Sequence, residues 1–366
     1  MKIGIDGTVF TQQLTGIGNY VYYLLLELIQ IRSNDSFYIY AHKELVKQFN
    51  FNNVKIQIVS DQVLSKNRFL WRHFVLPQQL KKDHIDTVWV GIGVAPFWPV
   101  SCPIILTVYD FVYRVEAETM SWWRQLYFEL IQPYSVRKAT KVQAISQSTA
   151  DDMLKYYGRK ADAVIKPGTE PQFYPRERSE IETVRKKYGV DGEYYLMVGT
   201  LEPRKNISLF LTCYIDYINK NGVSIPPLVL VGAKGWKDTE IVQMLNKAKV
   251  QGVVKTLGYV DFEDLPSLYS GAKALFMPSR YEGFGMPILE ARMCGCPVVA
   301  SDVRAMREAG GEYTFYHTPD RKGIMAMMEK VFSNNSLLSS DQGKSVDWDW
   351  KTGAEQLSNL LGSKQN

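Results

Sequence analysis

Short apolar runs alternate with segments of helical spacing along most of the chain. The runs predict buried strands at 2–6, 37–41, 87–90, 104–109, 141–145, 194–198, 227–231, 254–257, 274–278 and 297–300. Apolar residues spaced three or four apart predict helices at 19–31, 146–157, 208–219, 239–249, 265–271 and 348–361. This βαβα order is typical of parallel sheets flanked by helices, so the sequence predicts an α/β fold.

The chain of 366 residues is longer than one hydrophobic core usually supports, which favours two domains. Residues 160–175 have a loop-like composition rich in Pro and Gly, and the strand–helix rhythm restarts after them. We therefore predict one domain over 1–170 and a second over 171–345, followed by a terminal segment over 346–366. Residues 333–343 are a short polar run of low complexity.

Composition excludes several classes of protein. The net charge of +5 is too small to indicate nucleic-acid binding without a dense basic stripe. The four cysteines have neither disulfide-framework nor zinc-site spacing, which indicates a reducing compartment. Because the chain also lacks a signal peptide and a long apolar run, we expect a cytoplasmic protein.

The most informative segment is 281–301, in which two carboxylates flank a glycine loop. Glu282 and Glu290 are separated by seven residues, beginning with Gly283, Phe284, Gly285 and Met286. Pro287 suits a helix start and Gly295 suits a helix end, so the segment predicts strand, loop, helix and strand. Such a loop lets backbone N–H groups approach an anion at a helix N-terminus. We expect Glu290 two turns into this helix, ~10 Å along its axis.

This pattern resembles the Glu-x7-Glu signature of family 4, a large family of retaining, nucleotide-sugar-dependent glycosyltransferases with the GT-B architecture. The resemblance implies two Rossmann-like domains that face a central cleft, with a C-terminal helix over 346–366 that crosses back onto the N-terminal domain. It also implies that Glu282 lies against the donor sugar and that Glu290 binds the ribose. Gly283, Phe284, Gly285 and Met286 would contact sugar and phosphate.

Two adjacent cations follow the strand predicted at 194–198. Arg204 and Lys205 close the segment that begins at Gly199, and they precede a helix. Arginine can bind a diphosphate bidentately, and lysine adds a compact charge. The segment is similar to the family's Gly-x-x-x-Pro-Arg-Lys-Asn stretch, in which the two cations stabilise the leaving nucleotide diphosphate. We therefore expect Arg204, Lys205 and Glu282 to be the catalytic residues.

A second glycine-rich loop lies near the N-terminus. Gly16 and Gly18 allow close backbone approach to a phosphate, but the loop is not Gly-x-Gly-x-x-Gly, which disfavours a dinucleotide site. It resembles the family loop that contacts the donor diphosphate; a plain turn is the alternative. Tyr259 and Val260 follow a predicted strand and resemble the family loop that brackets the base. Tyr259 as a core residue is the other interpretation.

Tyr109 departs from the family pattern. Many relatives carry His-Asp where this chain has Tyr109 followed by Asp110, and the histidine reaches the 6-hydroxyl of the donor sugar. A phenol can donate a similar hydrogen bond. The alternative hypothesis is a 6-deoxy donor sugar.

The chemistry that these residues imply is metal-independent glycosyl transfer. Two cations can neutralise the departing diphosphate, and the sequence has neither Asp-x-Asp nor a metal-ligand cluster, so we expect no metal and no cofactor. The expected donor is a nucleotide sugar, and GDP-mannose is the best candidate. The expected acceptor is a glycan or lipid-linked glycan such as O-antigen or capsule. A UDP- or dTDP-sugar donor, an epimerase or hydrolase, and a non-catalytic sugar-nucleotide-binding partner remain alternatives.

An aromatic and basic set lies in the N-terminal half. It comprises Trp71, Arg72, Lys81, Lys82, Trp122, Trp123, Arg124, Tyr127 and Phe128. Such side chains suit a lipid headgroup surface, and core packing of the aromatics is the competing explanation. Peripheral association with the cytoplasmic face of the inner membrane is therefore one hypothesis for this set.

Overall fold

The computed structural model describes residues 1–14, 16–60, 67–222, 225–233, 235, 239–250, 252–333 and 346–362. The polar run predicted at 333–343 lies outside the described residues beyond Ser333. Within the described ranges, no helix has the length and apolar character needed to cross a membrane.

The first sheet has seven parallel strands. They are β1 (Lys2–Asp6), β2 (Ser36–Ala41), β3 (Val54–Ile58), β4 (Thr87–Val90), β5 (Ile104–Val108), β6 (Lys141–Ala144) and β7 (Ala163–Val164), in the order β3-β2-β1-β4-β5-β6-β7. The helices of this part of the chain are α1 (Gly16–Ile31), α2 (Arg68–Leu70), α3 (Leu76–Lys82), α4 (Val112–Val115), α5 (Trp122–Lys138) and α6 (Gln147–Tyr157). A π-helical turn, Trp71–Val75, joins α2 to α3.

The second sheet has six parallel strands. They are β8 (Tyr195–Val198), β9 (Leu228–Val231), β10 (Val254–Gly258), β11 (Leu275–Met277), β12 (Val298–Ser301) and β13 (Thr314–His317), in the order β10-β9-β8-β11-β12-β13. Its helices are α7 (Arg178–Tyr188), α8 (Ile207–Asn221), α9 (Thr239–Val250), α10 (Leu265–Ser270), α11 (Met286–Met293), α12 (Arg304–Gly310) and α13 (Arg321–Ser333). The last helix, α14, is Trp350–Leu361.

The chain forms two compact units, one around each sheet. The first comprises Met1–Phe111, Leu126–Gly168 and Asp347–Asn366, and the second comprises Val112–Gln125 and Thr169–Val346. Helix α14 therefore belongs to the unit of the first sheet, where it packs on α1. The Trp350 ring stacks on Tyr23, and Arg32 donates to the Ser358 carbonyl at 3.0 Å.

Strand order fixes where each sheet can bind a ligand. In the second unit the chain lays down β8, β9 and β10 in one direction and then returns to place β11 on the other side of β8. The position between β8 and β11 is therefore a topological switch point. Open α/β sheets bind ligands at such points, beside the carboxyl ends of their strands. The core beneath this point contains Tyr195, Phe210, Tyr214 and Phe276, all at most 2% exposed.

The predicted α/β class with parallel sheets is confirmed, and the structure adds elements that the pattern did not predict. Strand β3 is half-exposed at the edge of its sheet, and α7 buries one side chain, Val184, so neither has a clear apolar signature. Helix α5 has weak amphipathic character and contains Pro133. The stretch 160–175, which was expected to be a loop, includes the two-residue strand β7.

Candidate active site

The loops after β8 and β11 bring the predicted catalytic residues together at the switch point of the second sheet. Arg204 and Lys205 lie on a 3-10 turn, Pro203–Lys205, and Glu282 lies between β11 and α11. The backbone N–H of Arg280 donates to the Arg204 carbonyl at 2.8 Å and ties the two loops to each other. Residues 78 positions apart thus become neighbours because β11 is inserted beside β8.

Three donors hold the Glu282 carboxylate. Arg204 Nη1 donates to Oε2 at 2.7 Å, and Lys205 Nζ donates to Oε1 at 2.6 Å. Ser279 Oγ donates to the same Oε1 at 2.9 Å. Since Glu282 is only 7% exposed, these charge-assisted bonds compensate for the loss of water around the carboxylate.

Arg204 is fixed from a second side. Its Nε donates to Glu202 Oε2 at 2.8 Å, and its Nη1 also reaches the Tyr281 carbonyl at 3.1 Å. Asn206, which follows the pair of cations, has φ +59 in the left-handed region, and its side chain donates to the Pro319 carbonyl at 2.7 Å. The turn that presents the two cations is therefore anchored at both ends.

The charges of the two glutamates respond differently to burial. Burial alone would raise the pKa of Glu282, but the charges and hydrogen bonds of Arg204 and Lys205 lower it to about 2. Burial raises the pKa of Glu202, because its cationic neighbours offset only part of the desolvation. At neutral pH Glu282 is thus a firmly ionised, weakly basic carboxylate, suited to accepting hydrogen bonds rather than protons.

The glycine loop leads directly into α11, as predicted. Gly285 is the N-cap with φ +108, where a side chain would be strained, and Phe284 is buried at 3% exposure. At the other end, Gly295 has φ +71 and its N–H donates to the Arg292 carbonyl. One expectation was wrong: α11 begins at Met286, so Glu290 is its fifth residue and lies little more than one turn, rather than two turns, into the helix.

Glu290 has a different environment from Glu282. It is 8% exposed and accepts a hydrogen bond from Tyr269 Oη at 2.6 Å. Burial raises the pKa of Glu290 to about 7, although the Tyr269 hydroxyl and the Lys205 charge act in the opposite direction. Lys205 therefore lies within electrostatic reach of both motif glutamates.

Gly199 brings backbone close to backbone at the end of β8. Its φ is +143, and a Cβ at this residue would lie 3.4 Å from Lys205 Cε. A Cβ at Gly232, in the loop after β9, would lie 2.0 Å from the Gly199 carbonyl oxygen. This close approach keeps Gly199 beside the cation that follows it in the same loop.

The loop after β10 presents one of its two predicted residues to solvent. Tyr259 is 58% exposed, whereas Val260 is 6% exposed and packs inside the unit. The interpretation of Tyr259 as a core residue is therefore wrong, and its contact with the base stays a prediction.

The remaining predicted residues belong to the first unit. Gly16 and Gly18 form the first turn of α1, which begins three residues earlier than expected. Tyr109 follows β5, and its hydroxyl donates to the Gly91 carbonyl while its ring packs edge-on against Tyr20. The hydroxyl hydrogen that was expected to reach a sugar is therefore directed at the backbone.

Sequence reasoning missed three residues that build this site. Glu202 and Ser279 orient Arg204 and Glu282, and Tyr269 holds Glu290. Glu202 and Ser279 lie beside the motif residues, each directly in the loop after a strand, which was the available signal. Tyr269 had none, because it lies in α10 among apolar residues.

Comparison with solved structures identifies the fold. The chain matches Anabaena Alr3699/HepE in complex with UDP-glucose with a TM-score of 0.72 at 19% identity, covering 99% of both chains. It matches WaaG, a glycosyltransferase involved in lipopolysaccharide biosynthesis, with a TM-score of 0.68 at 15% identity, covering 100% of this chain and 96% of that one. The fold is GT-B, as predicted.

Part of the second unit matches a family model. Residues 180–341 match the model described as Glycosyl transferases group 1, which agrees with the resemblance inferred from the motifs. The match covers less than half of the chain and lies within the second unit. The matched range contains the whole cluster from Glu202 to Glu290.

Two of the similar proteins are named as O-antigen chain mannosyltransferases. The chain is 35% identical to the O-antigen chain mannosyltransferase B of Escherichia coli over 192 residues, which are 52% of this chain and 50% of that protein. It is 27% identical to the O-antigen chain mannosyltransferase RfbU of Salmonella typhimurium over 252 residues, covering 67% and 66% of the two chains. This chain thus spans half of the first relative's length.

The ionised carboxylate of Glu282 makes a stability prediction. Its pKa is lowered from 4.5 to about 2, which corresponds to about 3 kcal/mol of folding free energy at neutral pH. Glu282→Gln should lose about this amount at pH 7, and the loss should shrink as the pH falls from 4.5 towards 2. Urea unfolding at a series of pH values measures it.

Glu182→Gln is the control, because that side chain is 43% exposed and should change stability by less than about 0.5 kcal/mol. A Glu282→Gln deficit that stays constant from pH 7 to pH 3 would show that the carboxylate is not stabilised by the two cations.

Proposed function

We propose that this protein is a retaining glycosyltransferase that transfers a hexose from a nucleotide sugar to a lipid-linked cell-surface glycan. The observation that carries the proposal is the cluster of Arg204, Lys205 and Glu282 at the switch point of a sheet with group 1 glycosyl transferase sequence. The names of the relatives, O-antigen mannosyltransferases, support mannose as the sugar and GDP-mannose as the donor.

The two cations stabilise the leaving group. An ammonium has three donors, and within the described residues Lys205 Nζ uses one of them on Glu282, so further donors are available for a phosphate oxygen. Positive charge held in a partly buried site acts on the charge that develops on the diphosphate without reorganisation. The site supplies this neutralisation from its own side chains, so the proposed reaction requires no metal.

The proposed reaction proceeds on one face of the sugar. The bond from the anomeric carbon to the diphosphate oxygen breaks, and a bond from that carbon to the acceptor oxygen forms on the same side. The acceptor's proton passes to the leaving phosphate, which departs as the nucleoside diphosphate. Glu282 orients the sugar through accepted hydrogen bonds, since a carboxylate with a pKa of about 2 is a poor base.

The donor is identified by nucleotide binding and turnover. GDP should raise the melting temperature more than UDP or dTDP, because a ligand that binds the native state stabilises it. With a glycan acceptor, GDP-mannose should react faster than GDP-rhamnose, and EDTA should leave the rate unchanged. Preference for GDP-rhamnose would support a 6-deoxy donor sugar. A larger melting-temperature shift with UDP or dTDP would show that the donor carries a base other than guanine. A large loss of rate with EDTA would refute metal independence.

Substitution of the cations should separate transition-state stabilisation from binding. Arg204→Ala and Lys205→Ala should each lower kcat by on the order of 100-fold, because each removes charge from the developing diphosphate. Glu290→Ala should mainly raise the donor KM. Steady-state kinetics with the identified donor measures these effects.

Arg204→Lys keeps a positive charge next to Glu282 and Glu202, so it should preserve the folded site. A fall in kcat for this variant therefore reports lost catalysis and not lost folding. Lys187→Ala is the matched control, because it removes a half-exposed cation whose ion pairs are with Asp261 and Asp264 and not with the predicted catalytic residues. Equal, small effects at Arg204, Lys205 and Glu290 would contradict the proposed site.

An exposed apolar stripe on α5 supports membrane association. Trp122 and Trp123 are 76% and 59% exposed, and Leu126 and Leu130 continue the stripe at four-residue spacing. The helix carries three basic residues and one acidic residue. An apolar stripe with flanking cations fits an anionic lipid surface, so the proposed protein acts at the membrane that holds its acceptor.

Vesicle binding tests this placement. The protein should co-sediment with phosphatidylglycerol vesicles more than with phosphatidylcholine vesicles, and Trp122→Ala with Trp123→Ala should reduce binding several-fold. Leu154→Ala removes another exposed apolar side chain, on α6, and should not. Equal binding by the double variant and the parent would exclude α5 as the contact.

A further inference from the structure

A further buried glutamate, Glu170, lies outside the motif. Glu170 is 2% exposed, and its Oε2 has no hydrogen-bond partner within the described part of the chain. It belongs to the segment that enters the second unit, three residues before Phe173. A buried carboxyl oxygen without a hydrogen-bond partner costs free energy. The cost is smaller when the carboxyl keeps its proton, because the neutral form is easier to bury than the carboxylate.

The surrounding contacts place this segment against the helix that carries the partner of Glu290. The Phe173 N–H donates to the Glu170 carbonyl, and the Phe173 ring packs edge-on against Tyr269 with centroids 6.1 Å apart. Further along, the Arg176 N–H donates to Ser270 Oγ at 3.0 Å. Tyr269 in turn donates to Glu290, so the segment that carries Glu170 and the Glu290 carboxylate both lie against α10.

We infer that Glu170 is a positioning residue that keeps its proton beside Glu290 and so leaves the ribose-binding carboxylate as the one negative charge of the pair. The inference rests on the proposed function and on the role of Glu290 at the ribose of the nucleotide, which the family resemblance implies. Glu290 ionises and accepts hydrogen bonds from the ribose hydroxyls, while Glu170 retains its carboxyl proton. The pair thus adds one negative charge, rather than two, to a site that binds an anionic diphosphate.

The protonation behaviour of the pair agrees with this geometry. Burial and the neighbouring Glu290 carboxylate raise the pKa of Glu170 to about 8, above the value of about 7 for Glu290. The other ionisable groups around the pair are Tyr269, Lys205, Cys294 and Arg176. Burial keeps the Tyr269 phenol and the Cys294 thiol protonated by raising their pKa values.

Nucleotide affinity measured against pH tests the inference. GDP and UDP are each titrated calorimetrically into the parent protein and Glu170→Gln between pH 6 and 9. Affinity of the parent should rise as Glu290 ionises near pH 7 and fall above pH 8 as Glu170 ionises. Glu170→Gln should keep the rise and lose the fall, which gives on the order of tenfold tighter binding than the parent at pH 9.

A second readout requires no ligand. A carboxyl whose folded pKa exceeds its unfolded value binds more protons when folded, so it loses stability as the pH rises from 4.5 to 8. The melting temperature of the parent relative to Glu170→Gln should therefore decline across this range. Glu290→Gln provides the reciprocal variant: removing its charge should move the decline caused by Glu170 to lower pH.

The controls separate the possible failures. Glu182→Gln, a surface variant in the same unit, should follow the parent in both measurements. If nucleotide binds and Glu170→Gln keeps the parent's alkaline fall, or if the melting curves of the two proteins run parallel, the inference is overturned. If neither the parent nor the variants bind GDP or UDP at any pH, the proposed function fails instead. The melting curves alone then decide whether Glu170 holds the proton.

Discussion

The site depends on the burial of one carboxylate together with two cations. Glu282 is removed from water, and this is possible because Arg204, Lys205 and Ser279 supply the hydrogen bonds that water would have made. The bonds from Arg204 and Lys205 also join the loop after β8 to the loop after β11. An interaction that compensates for desolvation therefore also sets the position of the two groups best suited to neutralise a diphosphate.

The candidate site holds two glutamates in different electrostatic environments. Cations lower the pKa of Glu282, whereas burial beside Tyr269 raises the pKa of Glu290. Their difference arises from their neighbours and not from depth, since the two are exposed to nearly the same extent. Two carboxylates at similar depth are therefore shifted in opposite directions.

Local sequence chemistry was sufficient for elements whose ends are determined by neighbouring residues. Gly285 marks the start of α11 and Gly295 follows its end, because each occupies a positive-φ position that glycine tolerates. The pairing of Arg204 with Glu282 could not be obtained from spacing, since it depends on β11 returning to the side of β8; the family resemblance supplied it. Glu170 was not found at all, because it lies in a segment without helical or strand periodicity.

The insertion of β11 beside β8 has a consequence for synthesis of the chain. The ribosome releases β8, β9 and β10 before β11, so a three-stranded sheet can pair while one edge of β8 still lacks its neighbour. An open central edge invites pairing with other chains until residues 275–277 arrive to cover it. The strand order that creates the binding site therefore also creates an interval in which the nascent second unit is most exposed to misassembly.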